Sequence, residues 1–158
     1  MSGPTRRLTI RRRYAAPREA VFRAWTDPDE LWWFANLPPR TPTTVDLRVG
    51  GAWRLHMVES EERHYITGGI YREIVPPERL SFSWGAVGGW PAIDPDDLDG
   101  VPLATVTFTE TEGGTEMAFT LDFPDRFSDD DVRVWFDKGI TEGWTNTIDR
   151  LDLLTIRS

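Results

Sequence analysis

Two histidines, His56 and His64, are the first places to look for acid–base chemistry in this 158-residue sequence. Nucleophilic catalysis needs a nucleophile with a base in hydrogen-bond reach. No Gly-x-Ser-x-Gly elbow is present, and the absence of Cys removes thiolate chemistry and thiolate metal sites. His56 is out of phase with Trp53, Leu55 and Met57, which assigns it to the outer side of a strand, and His64, beside Glu61, Glu62 and Arg63, reads as a solvated hairpin residue. The acidic stretch Asp94 to Gly100 has some of the composition of a calcium loop. The phase that fits Gly100, however, puts Pro95 at the first ligand position and Val106 at the last. Asp129, Asp130 and Asp131 are better explained as a helix start, where carboxylates meet the positive end of the dipole. The glycine pairs fall in strand turns and loops, and none opens a helix as a phosphate cradle would. No catalytic residue, metal ligand or cofactor is therefore expected.

What the sequence does supply is aromatic bulk: eight Trp and eight Phe in a chain that is only 39% hydrophobic. Rings of that size either fill a core or wall a cavity. Trp33 and Phe34 belong to a short helix, while Trp53, Tyr71, Trp84 and Phe119 belong to strands. Trp90 sits in a long loop, and Trp135 and Trp144 share a face of the last helix with Gly139 and Gly143 close by. Two glycines inside a helical pattern cost about 1 kcal/mol each relative to Ala, which points to close packing or empty space beside the backbone. Arg12, Tyr71 and Glu73 are the polar groups placed to orient a ligand, the facing of Glu73 depending on a bend at Gly68 and Gly69.

The elements that must position these residues follow from periodicity. Leu8, Ile10 and Tyr14 alternate with Thr9, Arg11 and Arg13 as a first strand, with Arg12 on its apolar side needing acceptors. Pro17 opens a short helix whose inner positions are Val21, Ala24 and Trp25, and Asp27 caps a second that runs to Asn36 and the Pro38–Pro39 pair. Six strands follow: one through Val45, Leu47 and Val49, one over 53–58, one over 64–75 with a bulge at its glycines, one over 80–84, and a last hairpin, 104–110 and 116–123, about Gly113 and Gly114. The final stretch from Ser128 carries Val132, Trp135, Phe136, Ile140, Trp144, Ile148, Leu151 and Leu154 at steps of three and four, which predicts one long amphipathic helix. Ser128 with Asp131 nearly forms a capping box at its start. Consecutive strands with helices at the ends imply an α+β fold built on an antiparallel sheet. Such a sheet twists, and a long helix across its concave face leaves a cavity at the flared end.

A formal charge of −8 argues against nucleic acid as a partner, because phosphate binding draws on a basic surface. With no signal-like or spanning apolar run, a cytoplasmic protein without membrane insertion is expected, folded as a single domain over 1–158.

The stretches AAPREAVFRAWTDPDELWWF, DLRVGGAWRLHM, GGIYREIVPPERLSFSW, GGTEMAFTL and KGITEGWTNTIDRL, in that order from about Leu8 to Leu154, resemble the activator-of-heat-shock-protein-ATPase-like branch of the START/SRPBCC superfamily. The resemblance implies a helix-grip, birch-pollen-allergen-like fold, six to seven antiparallel strands around the C-terminal helix with a cavity between them. Relatives carry lipids, sterols or polyketides, and a few catalyse cyclisation or hydrolysis; fold alone does not choose among these. Two departures stand out. The His that ends the last strand in many members of the branch is replaced here by the run Leu121, Asp122, Phe123, and the loop from Gly85 to Pro102 is long and acidic, as a lid would be. Three functional expectations follow. The first is binding of a small hydrophobic molecule in the cavity. The second is a co-chaperone contact with the heat-shock chaperone, weakened because the sequence reads as one domain without the additional N-terminal domain of such activators. The third is a cyclase or hydrolase using Arg12, Tyr71 or Glu73. A homodimer stays open.

Overall fold

The chain forms seven strands: β1 (Arg7–Tyr14), β2 (Thr44–Val45), β3 (Ala52–Val58), β4 (His64–Val75), β5 (Arg79–Trp84), β6 (Leu103–Thr111) and β7 (Gly114–Asp122). They form one antiparallel sheet in the order β1-β7-β6-β5-β4-β3-β2. Helix α1 (Arg18–Thr26) follows β1, and α2 (Asp129–Asp137) and α3 (Ile140–Thr155) close the chain. The structure, a computed structural model, describes residues 6–34 and 41–155, without the side chains of Trp32, Phe34 and 152–155. This is the α+β arrangement expected, a curved sheet gripping the C-terminal helix.

The core is written most plainly in β7, where Thr115, Met117, Phe119 and Leu121 are fully buried and the residues between them are half-exposed. Phe119 lies opposite Ile10 on one side and Val106 on the other, so a single register joins three strands through inward apolar side chains. Each such side chain contributes on the order of 1.5–3 kcal/mol on burial. Helix α1 buries the expected Val21, Ala24 and Trp25 on that face, and the Trp25 indole N–H points at Met117 Sδ, 3.2 Å away.

The structure departs from the sequence reading in five places. The single long C-terminal helix is two, because Gly139 adopts φ 85°, a left-handed conformation that ends α2 before α3 begins. The near miss at Ser128 is a complete capping box: Ser128 Oγ accepts from Asp131 N at 3.1 Å and Asp131 Oδ2 accepts from Ser128 N at 3.0 Å, the shorter carboxylate reaching as Glu would. The bulge in β4 falls between Tyr71 and Glu73, not at Gly68 and Gly69. Gly69 is instead a point of close approach, since a Cβ there would lie 2.6 Å from Trp53 Nε1 and 2.5 Å from Phe82 Cδ2. Finally, the second helix is only a 3-10 turn, Leu31–Phe34, with Asp27 Oδ1 accepting from Asp29 N ahead of it; its expected end at Asn36 and Pro38–Pro39 lies outside the described residues. The strand expected through Leu47 and Val49 shrinks to β2, leaving both side chains exposed. Among the described residues no helix is long and apolar enough to cross a membrane.

The two helix-pattern glycines thus make opposite demands. Gly139→Ala is expected to destabilise the protein by about 1–2 kcal/mol through its left-handed backbone. Gly143→Ala, inside α3 with nothing within 4 Å of the added Cβ, should stabilise it by about 1 kcal/mol. Urea midpoints of the two variants, moving in opposite directions, check both.

Candidate functional site

Between α3 and the β3–β4–β5 end of the sheet lies an open cleft of about 750 Å³. Its sheet wall comes from inward phases: Met57 on β3, opposite Tyr65 on β4, then Thr67, and Trp84 at the end of β5. Its helix wall is Gly139, Ile140, Gly143 and Trp144, continued one and two turns on by Asn146, Thr147 and Arg150. Glu59, Arg63, Lys138 and Glu142 form charged edges, and Trp90 reaches in from the long loop.

Indoles make up the apolar end. Trp84 packs edge-to-face against Trp144 (5.1 Å between centroids) and Trp90 (5.3 Å), arrangements that ring quadrupoles favour. The Trp84 indole N–H donates to Thr67 Oγ1 at 3.2 Å, which satisfies its one donor within the wall. Trp135, on α2, stands behind at 6.0 Å from Trp84 and 6.1 Å from Trp90, with the Lys138 ammonium 5.2 Å over its ring. Beside these rings the helix wall is bare, because a Cβ on Gly139 or Gly143 would meet nothing within 4 Å.

The polar end is ordered by Arg150. Its Nε donates to Trp33 O at 3.0 Å and its Nη2 to Thr147 Oγ1 at 3.3 Å, tying α3 to the turn after α1. Burial pulls the guanidinium below its ordinary value, with Glu59 and Tyr65 opposing the shift. Burial, then the charge of Glu59, push the Tyr65 phenol up to about 12, with Arg63 and Arg150 pulling the other way. Tyr65 is therefore a neutral hydroxyl at physiological pH, able to donate as well as accept.

Of the residues singled out in the sequence, Trp84, Trp90, Gly139, Gly143 and Trp144 line this cleft. Trp135 and Phe119 back it, Phe119 at 4.4 Å from Trp144. Trp33 is a core residue instead, its N–H given to Ala24 O at 2.9 Å and its ring edge-on to Trp25. Trp53 packs against Phe82 at 5.4 Å, away from the cleft. Tyr71 is buried beyond it, with a hydroxyl that has no hydrogen-bond partner among the described residues; burial and then Asp46 push its pKa up. Arg12 does face the helix side, but it finds its acceptor in Asp149 at 2.8 Å and is not a cleft residue. Glu73 bonds Arg79 on the outer face, which the bulge after Tyr71 permits. Arg12, Tyr71 and Glu73 are thus dispersed and form no common acid–base centre. The side chain of Phe34 lies outside the described residues. His56 and His64 meet each other on the outer face, Nε2 to Nδ1 at 3.0 Å. Among the described residues no three His, Asp or Glu side chains gather as a metal site would require.

The polar members of the wall are not marked by aromatic content. Helical spacing alone could have found them, since Asn146, Thr147 and Arg150 stand three, four and seven positions after Gly143 on one stripe.

The loop from Gly85 to Pro102, whose length and acidity suit a lid, is built into both faces. Gly85 N donates to Gly68 O at 2.9 Å and Trp90 N to Ile66 O at 2.7 Å, which holds the first part along β4 and Trp90 over the cleft. Further on, Ile93 and Val101 bury against Ile70, whose side chain is on the opposite side of β4 from Tyr71.

The sequence profile described as "Activator of Hsp90 ATPase homolog 1-like protein" matches residues 15–155. Among solved structures, the chain is similar to a protein from Mycobacterium smegmatis, at 27% identity and a TM-score of 0.71 over 95% of this chain and 90% of that one. It is also similar to one from Rhizobium leguminosarum, at 28% identity and a TM-score of 0.67 over 99% and 98%. A solution structure from Arthrobacter aurescens shares the fold at a TM-score of 0.76 and 23% identity, covering 100% of this chain and 92% of its own. No curated protein matches the sequence.

The phenols give this region a pH signature. A raised tyrosine pKa means that the unfolded chain loses its proton first, so the stabilising contribution is whole below pH 10 and is lost as pH rises towards about 12 for Tyr65. Absorbance titration at about 295 nm should show phenolate from Tyr65 only above the ordinary tyrosine range near pH 10. Its appearance should coincide with loss of the folded near-ultraviolet signal, and Tyr65→Phe should move that alkaline transition upward.

Proposed function

The chain belongs to the family of activator-of-Hsp90-ATPase-homolog-1-like proteins, a branch of the START/SRPBCC superfamily, and from that membership and the geometry of the cleft we propose that it binds a small hydrophobic or aromatic molecule between the sheet and α3. Lipids, sterols and polyketide-like molecules are the candidate classes. The observation that carries this reading is the bare stretch of α3 at Gly143, beside Trp144 and facing the indoles of Trp84 and Trp90 across about 750 Å³. A helix meant only to pack would place side chains there, and space of that size between ring faces suits a drug-sized guest. Association then draws on apolar burial at roughly 25 cal/mol per Å² together with stacking on Trp84, Trp90 and Trp144.

The family description carries a second reading, contact with a heat-shock chaperone ATPase. Ligand binding predicts that stoichiometric addition of the protein leaves the chaperone's ATPase rate unchanged, and a several-fold stimulation would transfer the assignment to the co-chaperone role.

Filling the bare helix wall tests the first reading directly. Gly143→Leu places an isobutyl group in the cleft without a backbone clash, and it should lower the affinity for apolar guests by at least about tenfold, about 1.4 kcal/mol. Native mass spectrometry before and after denaturation identifies any co-purified molecule; its unchanged retention by the Leu variant would place the binding site elsewhere.

A further inference from the structure

The cleft is charged against the trend of the chain. The sequence carries 18 Lys and Arg against 26 Asp and Glu. Of the charged residues lining the cleft, however, Arg63, Lys138 and Arg150 are cations and only Glu59 and Glu142 are carboxylates. Glu59 and Arg63 pair with each other at 3.0 Å and offset one another, which leaves Lys138 and Arg150 against Glu142. The arrangement is also polarised along α3: Gly143 and Trp144 border the indoles, and Arg150 stands two turns further on, about 10 Å along the axis.

We infer that the guest of this cleft is an amphipathic anion, a flat apolar body lying among the indoles and carrying one carboxylate, sulfonate or similar oxyanion that meets Arg150, Tyr65 and Asn146. This rests on the ligand-binding reading above and specifies its chemistry. Arg150 is held for the purpose: Nε on Trp33 O and Nη2 on Thr147 Oγ1 fix the plane of the guanidinium at the cleft wall. A planar fork so fixed matches an oxyanion better than a mobile ammonium does, and partial burial strengthens the attraction by reducing the screening of water. Tyr65 keeps its proton up to about pH 12, so its hydroxyl donates at neutral pH. The Asn146 amide adds donors on the same helix stripe, whereas an oxyanion brings only acceptors.

Two fluorescent probes sharing one ring system separate the contributions: 1-anilinonaphthalene-8-sulfonate and the uncharged N-phenyl-1-naphthylamine. The sulfonate should bind about tenfold or more tightly than the neutral probe at about 0.15 M salt, and the difference should shrink at about 1 M. Arg150→Gln should bring the two affinities to within about twofold by weakening the sulfonate alone. Because Arg150 also ties α3 to the Trp33 turn, Tyr65→Phe supplies a second variant that keeps the ring, with a loss of roughly threefold or more for the sulfonate and none for the neutral probe. Gly143→Leu should exclude both probes. Equal binding of the two, blocked by Gly143→Leu, would overturn the anionic assignment and leave the cleft a binding site for neutral molecules, as would a sulfonate preference untouched in both polar variants. Binding of neither probe, or of both regardless of Gly143→Leu, would overturn the ligand-binding reading together with this one.

Discussion

The distance between the C-terminal helix and the sheet is governed by an indole wedge, with Trp144 set 4.4 Å from Phe119 on β7 and 5.1 Å from Trp84 on β5. A helix held off by a ring of that thickness can be filled in beneath only by other side chains. Towards its C-terminal half Ile148 and Leu151 do so, buried completely beside the Leu31–Phe34 turn. Towards its start there are glycines, and the volume stays open. The same wedge therefore produces a solid core at one end of α3 and a cleft at the other.

The rings behind the wedge make the arrangement rigid. Phe119 is stacked on Trp25 at 6.1 Å with 13° between planes, and Trp25 meets Trp33 edge-on at 5.1 Å. Interiors packed in this way have few low-energy alternatives, since moving one ring forces its neighbours out of their rotamers. The cleft is consequently a fixed feature of the fold, bordered by side chains whose positions are set from behind. Ligation between elements far apart in sequence adds to this: Arg12 on the edge strand reaches Asp149 on α3, and Arg150 beside it reaches the carbonyl of Trp33. The first pair is well exposed and contributes little to stability; the second is more sheltered and bonds a backbone carbonyl that the turn leaves available.

Strand alternation made the sheet, its hairpins and its inward residues legible, and the superfamily resemblance rested on the same stretches. Where the reading failed, the missing information was three-dimensional. Gly139 and Gly143 look alike in a helical pattern, yet one has φ 85° and the other continues a helix. Gly68 and Gly69 suggest a bulge, but the chain used glycine there to let Trp53 and Phe82 come close, and bulged at Arg72 instead. Residue type also cannot separate an indole that fills a core, as Trp33 does, from one that borders open space, as Trp84 does; both are buried. Arg150 escaped notice for a related reason. A lone arginine in a helix repeat reads as solvated surface until the element it bonds is known.

The segment after β5 has a mechanical property that follows from its two anchorages. Trp90 is fixed on one side of the sheet and Ile93 with Val101 on the other, so the segment is riveted through the end of β5 rather than hinged there. Swinging it away as a flap would strip Ile70, Ile93 and Val101 of cover at once, at roughly 1.5–3 kcal/mol for each side chain. Passage along the rim bounded by Arg63 and Glu142 uncovers no such surface. On the ligand-binding reading proposed above, a guest would enter past the charged sill, with the tryptophan-bearing segment as a fixed jamb.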